Sequence, residues 1–112
     1  MKNEKSLKIY EEATKYIPGG VNSPVRAFKS VGLDPIFIER AHGSRIYDVD
    51  GNEYIDYICS WGPLMLGHSP KEIVEGIEEV VYRGTSYGVP TAIEVEMAKL
   101  VVEAYPAIDQ VR

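Results

Sequence analysis

The residues best suited to chemistry lie in one segment that is uncharged apart from Arg26, PGGVNSPVRAF over residues 18–28. Its prolines and glycines predict a stiff bend that presents one hydroxyl, Ser23, and then one guanidinium, Arg26. A guanidinium keeps its charge and can donate two parallel hydrogen bonds, so it is suited to binding a carboxylate. From the residues alone, an ordinary surface salt bridge is the preferred role of Arg26, and ligand binding is the alternative.

Other chemical motifs are absent from the sequence. It has no Walker loop, no Gly-x-Gly-x-x-Gly, no His-Glu-x-x-His and no Cys-x-x-Cys. His42 and His68 are 26 positions apart and form no metal-binding spacing with Cys59, so we predict no metal site. We expect His68 to satisfy hydrogen bonds of a loop or a helix start, and Cys59 to be a small buried apolar residue.

The composition argues against several classes of partner. The formal net charge is −5, and acidic and basic residues alternate, so we expect no binding to nucleic acid. The longest uncharged stretch, residues 57–70, is interrupted by glycine and proline, so neither a signal peptide nor a membrane span is expected. A single cysteine allows no intrachain disulfide, and we predict a cytoplasmic protein.

Hydrophobic periodicity predicts three helices. Apolar residues recur at helical spacing over residues 7–17, and the following Pro-Gly-Gly predicts the end of this helix. A second helix is predicted from Ser69, the first residue of a capping box, to the glycine at 84. A third is predicted from Thr91, the first residue of another capping box, to the proline at 106.

Between Ile36 and Ile58 the apolar residues alternate with polar ones, as is typical of strands. Asp50-Gly51 separates the last two runs, and this dipeptide favours a hairpin because glycine accepts a positive φ. We therefore predict a three-stranded antiparallel meander and an α+β arrangement. Residues 110–112 are interpreted as the start of a further strand.

Three loops are uncharged: residues 16–25, which Arg26 follows, residues 57–70 and residues 84–93. A loop that lies against a ligand or a second subunit has reason to avoid charge, whereas ordinary surface loops usually carry it. Tight connections between elements explain the pattern equally well.

Three segments together resemble the glutamate-1-semialdehyde aminomutase family of class III aminotransferases. They are residues 18–28, SWGPLMLGH over residues 60–68 and RGTSYGVPT over residues 83–91. The likeness extends from about Leu7 to Arg112, over the amino-terminal quarter of the family's enzyme, and is most specific in GGVNSPVR. Tyr87 and Val89 stand where phenylalanine and alanine are usual in the family, changes that are conservative in shape.

The resemblance implies an α/β enzyme of fold type I that uses pyridoxal 5'-phosphate and forms a homodimer with active sites at the subunit interface. Residues 1–68 would form the helix and meander of the small domain, and residues 69–112 the start of the large domain. The implied reaction converts glutamate-1-semialdehyde, a small-molecule substrate, to 5-aminolevulinate for tetrapyrrole (porphyrin) biosynthesis.

The resemblance also implies roles for individual residues. Arg26 would hold the substrate carboxylate, Ser23 would hydrogen-bond to substrate, and Trp61 would form an apolar wall beside it. Thr85, Ser86 and Tyr87 would lie at the dimer interface or in an active-site loop. No lysine here resembles the lysine that holds the cofactor, so we expect no catalytic residue in this chain and predict that it is inactive alone.

Two alternatives stay open. The chain is a fragment of another class III aminotransferase, or it is a non-catalytic domain that binds a partner or itself through uncovered helix faces. A continuation of the reading frame into a strand followed by Ser-Gly-Thr would favour the enzymatic origin, and a genuine stop would favour the interaction domain.

Overall fold

The first helix, α1, spans Glu4–Ala13 in the computed structural model, which describes residues 1–112. It begins earlier and ends earlier than the predicted 7–17. The N–H groups of Lys15 and Tyr16 bond to carbonyls only three residues back, at 3.1 Å each, so the α-helix tightens into a turn before Ile17. A 3₁₀ turn at Pro18–Gly20 follows, and the predicted bend is present.

The predicted antiparallel meander is confirmed. Strands β1 (Ile38–His42), β2 (Arg45–Asp48) and β3 (Glu53–Ile55) form one sheet in the order β1-β2-β3. The strands are shorter than the alternating pattern suggests, because Ile36 and Ile58 lie outside them. Arg40 of β1 pairs with Tyr47 of β2, and its guanidinium lies 3.6 Å from the centre of that ring.

The predicted Asp-Gly turn connects β2 to β3, and Gly51 has a φ of +84°. The side chain of Asp48 holds this turn. Its Oδ1 accepts hydrogen bonds from the N–H groups of Asp50 at 3.0 Å and Asn52 at 2.8 Å. The turn is therefore fixed by a carboxylate as well as by glycine.

Helices α2 (Lys71–Val81) and α3 (Ala92–Ala104) confirm the two later helix predictions. At α3, the carboxylate of Glu94 accepts the N–H of Thr91 at 2.7 Å, as a capping box requires. The predicted cap at Ser69 is wrong, because its φ of +51° is not the extended backbone of a cap residue. The carbonyl of Pro70 instead accepts the first helical N–H, from Val74 at 3.0 Å.

Residues 110–112 form no strand. Strand structure needs a neighbouring strand to complete its hydrogen bonds, and the meander pairs only with itself. The prediction of a strand in these last residues is therefore wrong for this chain.

The chain divides into two units, Met1–Val74 and Glu75–Arg112. In the first unit the deepest burial falls on Ser6, Ala27 and Asp48. On α2 one face carries apolar side chains with exposed fractions of 38–56%: Ile73, Val74, Ile77, Val80 and Val81. None of the helices is both long enough and apolar enough to cross a membrane.

Candidate functional site

Arg26 lies on a short 3₁₀ turn, Pro24–Ala27, and Ser23 directly precedes this turn in extended conformation. Pro24 begins the turn because its fixed φ suits the first helical position. The Arg26 N–H donates to the Ser23 carbonyl at 3.0 Å, and the buried Ala27 anchors the turn. The backbone bond thus keeps Ser23 and Arg26 at the two ends of one short turn, and Arg26 stays exposed.

Arg26 lines a cavity of about 410 Å³ with Gly20, Val21 and Asn22 on one side and residues 35–38 on the other. The lining is otherwise largely apolar. A permanent cation at the edge of an apolar cavity can hold a carboxylate while the apolar wall contacts a short carbon chain. A larger cavity of about 850 Å³, beside α1, contains neither Ser23 nor Arg26.

Trp61 lies in a loop whose backbone is strained. Cys59, Ser60 and Trp61 have successive φ angles of +50°, +51° and +67°, in the left-handed region that L-residues avoid. Trp61 is 71% exposed. Strained backbone of this kind clusters at functional sites, so the loop is a candidate for ligand contact. Cys59 is half-buried rather than buried as predicted, because the turn leaves its side chain at a cavity edge.

Asp56 anchors the Trp61 loop at both ends. Its Oδ1 accepts the N–H groups of Ile58 at 2.8 Å and Cys59 at 3.1 Å, and its Oδ2 lies 2.7 Å from Nε2 of His68. The bond with His68, followed by those backbone bonds, lowers the pKa of Asp56. His68 therefore satisfies a loop, as predicted.

The carboxyl end of the loop is also tied to the meander by its backbone. The N–H of Gly43 bonds to the carbonyl of His68 at 2.9 Å, and the N–H of His68 bonds to the carbonyl of Gly43 at 2.8 Å. Asp56 was not among the predicted site residues. The signal was available, since an aspartate two residues before a turn commonly accepts its backbone N–H groups.

Thr85, Ser86 and Tyr87 lie in the second unit and together line a cavity of about 810 Å³. The Tyr87 hydroxyl donates to the carbonyls of Arg83 and Gly84, the latter at 3.2 Å. These bonds satisfy two carbonyl groups just after the carboxyl end of α2. Thr85, Ser86 and Tyr87 therefore lie in one loop, and Tyr87 ties this loop to the residues that follow the helix.

Ser23 and Arg26 therefore lie at the two ends of one turn, but only Arg26 is among the residues that line the cavity of about 410 Å³. Trp61 is in the same unit but is not among the residues that line the cavity of Arg26. All seven lysines are exposed.

A polar network centred on Asp48, which the sequence pattern did not predict, fixes the meander internally. Asp48 is 1% exposed, and its Oδ2 accepts Asn52 Nδ2 at 2.8 Å and the Tyr54 hydroxyl at 2.7 Å. Burial opposes ionisation of Asp48, but these bonds and those from the turn outweigh it and lower its pKa. Burial and the neighbouring Asp48 raise the pKa of Tyr54 to about 12.

Comparison with known proteins places this geometry among aminotransferases. Residues 28–112 match the family model described as aminotransferase class-III. The chain is 73% identical over 112 residues to glutamate-1-semialdehyde 2,1-aminomutase of Clostridium novyi, and covers 100% of itself and 26% of that protein. It is 62% identical to the same enzyme of Persephonella marina, with the same coverage.

A solved structure described as a transaminase with PLP bound superposes on the chain with a TM-score of 0.87 and 36% sequence identity. The match covers 97% of this chain and 25% of that one. The chain thus spans about a quarter of the length of the curated relatives it matches.

Proposed function

We propose that this chain, which belongs to the class-III aminotransferase family, is the amino-terminal part of an enzyme that converts glutamate-1-semialdehyde to 5-aminolevulinate. Its α+β fold, with three helices and an antiparallel meander, is that of the matching part of fold type I transaminases. The observation that carries the proposal is the Pro24–Ala27 turn, which places Arg26 at a largely apolar cavity and which Ser23 directly precedes.

In this proposal Arg26 binds the substrate carboxylate, because its guanidinium can donate two parallel bonds and stays charged at every working pH. Ser23 precedes the same turn and donates or accepts one further hydrogen bond to the substrate. Trp61, on its strained loop, limits water beside the reacting atoms once the remainder of the enzyme is in place.

Pyridoxal 5'-phosphate supplies the electron sink for moving the amino group when it is bound to the complete enzyme. Because no lysine of this chain stands in a sequence context that resembles the cofactor lysine of the family, we assign the anchoring lysine to a part of the protein outside it. The chain alone is then inactive, and its contribution is substrate binding.

The proposal also assigns the two parts of the chain to domains and one loop to a subunit interface. Residues 1–68 are the small-domain part and residues 69–112 the start of the large domain. Thr85, Ser86 and Tyr87 form a loop at the interface of a homodimer, where an uncharged loop suits contact with a second subunit. The complete enzyme works in the cytoplasm on a small molecule.

A chimera tests the proposal. The chain replaces the matching quarter of the Clostridium novyi aminomutase, to which it is 73% identical, and conversion of glutamate-1-semialdehyde is measured. Activity close to that of the parent enzyme is the expected result. Transamination of other amines without 5-aminolevulinate formation would assign the chain to another class III aminotransferase, and a folded chimera with neither activity would contradict the proposal.

The predicted inactivity of the isolated chain can be tested separately. The purified chain is mixed with pyridoxal phosphate and reduced with borohydride, and its peptides are analysed by mass spectrometry. We expect scattered, substoichiometric labelling of surface lysines. Stoichiometric labelling of one lysine would show that the chain does contain a cofactor anchor.

The exposed apolar faces favour a second candidate, a non-catalytic interaction domain that associates with itself. On α3 the side chains of Ile93, Met97 and Leu100 are 60–66% exposed, in addition to the apolar face of α2. Patches of this kind usually mark a contact surface. Sedimentation of the isolated chain tests this candidate: a monomer at high concentration would exclude it, and a dimer lost on Ile77→Glu but kept on Glu78→Gln would support it.

A further inference from the structure

Gly20 occupies a position in the bend where no side chain fits. A Cβ built there would lie 2.5 Å from Cε2 and 2.8 Å from Cδ2 of the Tyr10 ring, and 3.1 Å from Cγ2 of Thr14. Distances below 3.0 Å are not tolerated between carbon atoms, so one partner would have to move. Gly20 is buried and Tyr10 is half-buried, because the Tyr10 ring covers Gly20.

The neighbouring Gly19 offers a natural comparison. Its φ of +70° is almost equal to the +72° of Gly20, but a Cβ at Gly19 would meet no heavy atom within 4 Å. Both positions demand a left-handed backbone, which an alanine tolerates poorly. The close approach to Tyr10 is therefore what distinguishes Gly20.

The contact between Gly20 and Tyr10 joins α1 to the chain that leads into the Pro24–Ala27 turn. Tyr10 belongs to α1, whose amino-terminal N–H groups are bonded to Asp50 of the meander. Helix α1 contacts the Pro18–Gly20 turn, and this turn contacts the Pro24–Ala27 turn. Gly20 and Arg26 also line the same cavity. Only five residues lie between Gly20 and Arg26, and a backbone bond from Arg26 to Ser23 closes the turn at the end of this stretch.

We propose that Gly20 is a positioning residue for the substrate: its missing side chain lets the bend lie against the Tyr10 ring, and this contact sets the place of the Arg26 guanidinium in the cavity. The proposal rests on the substrate-binding role of Arg26. It concerns the binding of the substrate carboxylate rather than the chemical step.

The test uses the active chimera with the Clostridium novyi enzyme and compares Gly20→Ala with Gly19→Ala. A displacement of about 1 Å at a binding group lowers kcat/KM on the order of 100-fold, and we expect this loss for Gly20→Ala, mostly as a rise in KM. Gly19→Ala carries the same backbone strain without the clash, so its loss should be at least tenfold smaller. Binding of levulinate, a product analogue without the amino group, should weaken in parallel when measured by calorimetry.

A second-site change separates positioning from simple destabilisation. Removing the ring with Tyr10→Ala removes the clash but not the backbone strain, so in that background Gly20→Ala should weaken levulinate binding no more than Gly19→Ala does. Equal losses for the two glycine variants, or no rescue by Tyr10→Ala, would overturn the proposal. An inactive unmodified chimera would instead overturn the proposed function, and this proposal with it.

Discussion

The carboxylate of Asp50 lies 2.7 Å from the hydroxyl of Ser6, although 44 residues separate them in the chain. The same carboxylate accepts the N–H groups of Lys5 at 2.8 Å and Ser6 at 2.9 Å. These are the second and third N–H groups of α1, which an N-cap side chain normally satisfies, and Asn3 makes no such bond. The turn between β2 and β3 thus caps α1 and fixes the helix to the sheet.

Loss of the Ser6 hydroxyl should destabilise this junction. Ser6 is 1% exposed, and its hydroxyl bonds to a charged acceptor, so Ser6→Ala should lower the free energy of unfolding by about 1–2 kcal/mol. Urea unfolding followed by circular dichroism measures the change. Ser30→Ala, at an exposed serine, is the control and should change stability by less than about 0.5 kcal/mol. Equal effects of the two variants would contradict the capping role of Asp50.

The Tyr54 hydroxyl should lose its proton at a higher pH than a free tyrosine does. The stability of the fold should therefore decline with rising pH in alkaline solution. The pKa of Tyr54 is raised to about 12 in the folded protein, whereas an unperturbed tyrosine titrates near 10. The folded state therefore holds the phenol proton more tightly, and this contribution to stability is complete below about pH 10 and lost as pH rises towards 12. Subtracting the ultraviolet titration of Tyr54→Phe from that of the parent isolates this one group.

The Tyr54→Phe variant also tests the bond to Asp48. It removes a donor from a buried carboxylate, so we expect a loss of about 1–3 kcal/mol at neutral pH and a weaker alkaline decline. Tyr47→Phe is the control, because the Tyr47 ring stacks under Arg40 through its face. A Tyr54 that titrates near pH 10 would show that the buried network does not exist in solution.

Acid should destabilise the Trp61 loop through Asp56. Its pKa is lowered in the folded protein, chiefly by the bond from His68, so its contribution is present above the unfolded value of about 3.9 and is lost as pH falls through the folded pKa. Asp48 and Asp50 also have lowered pKa values and act in the same direction. Unfolding in urea at a series of pH values, followed by fluorescence of the only tryptophan, measures the decline.

Asp56→Asn should keep the shape of this side chain but remove its ionisation. We expect lower stability at neutral pH and a shallower acid decline than in the parent chain. Asp34→Asn serves as a control, because Asp34 is exposed. If Asp56→Asn shows the full acid dependence of the parent, the loop is not held by this carboxylate.

Local sequence signals predicted the elements that local chemistry controls. The capping box of Thr91 and Glu94 forms as expected, because both partners lie within one helical turn. The glycine of Asp50-Gly51 adopts the positive φ that a tight turn needs. The bend before Arg26 follows from the fixed torsions of proline and the freedom of glycine.

The features that were missed depend on partners far along the chain or on tertiary context. The bond of Asp50 to Ser6 has no signature in the spacing of residues, and Asp50 was interpreted only as a turn residue. The left-handed φ of Ser69 and of Cys59 contradicts what their residue types favour. The absence of a strand at residues 110–112 reflects the absence of a neighbour, which no local pattern reports.

The central claim, that Arg26 holds a carboxylate of the substrate, is tested most directly by Arg26→Ala in the chimera. Breaking one side of a desolvated charge pair should lower kcat/KM by about 2–4 kcal/mol, or roughly 30- to 1,000-fold, mainly through KM. Arg45→Ala, which removes an exposed pair with Glu53 at 3.1 Å, should change kcat/KM less than about threefold. Unchanged kinetics in Arg26→Ala would remove this residue from the site and contradict the account.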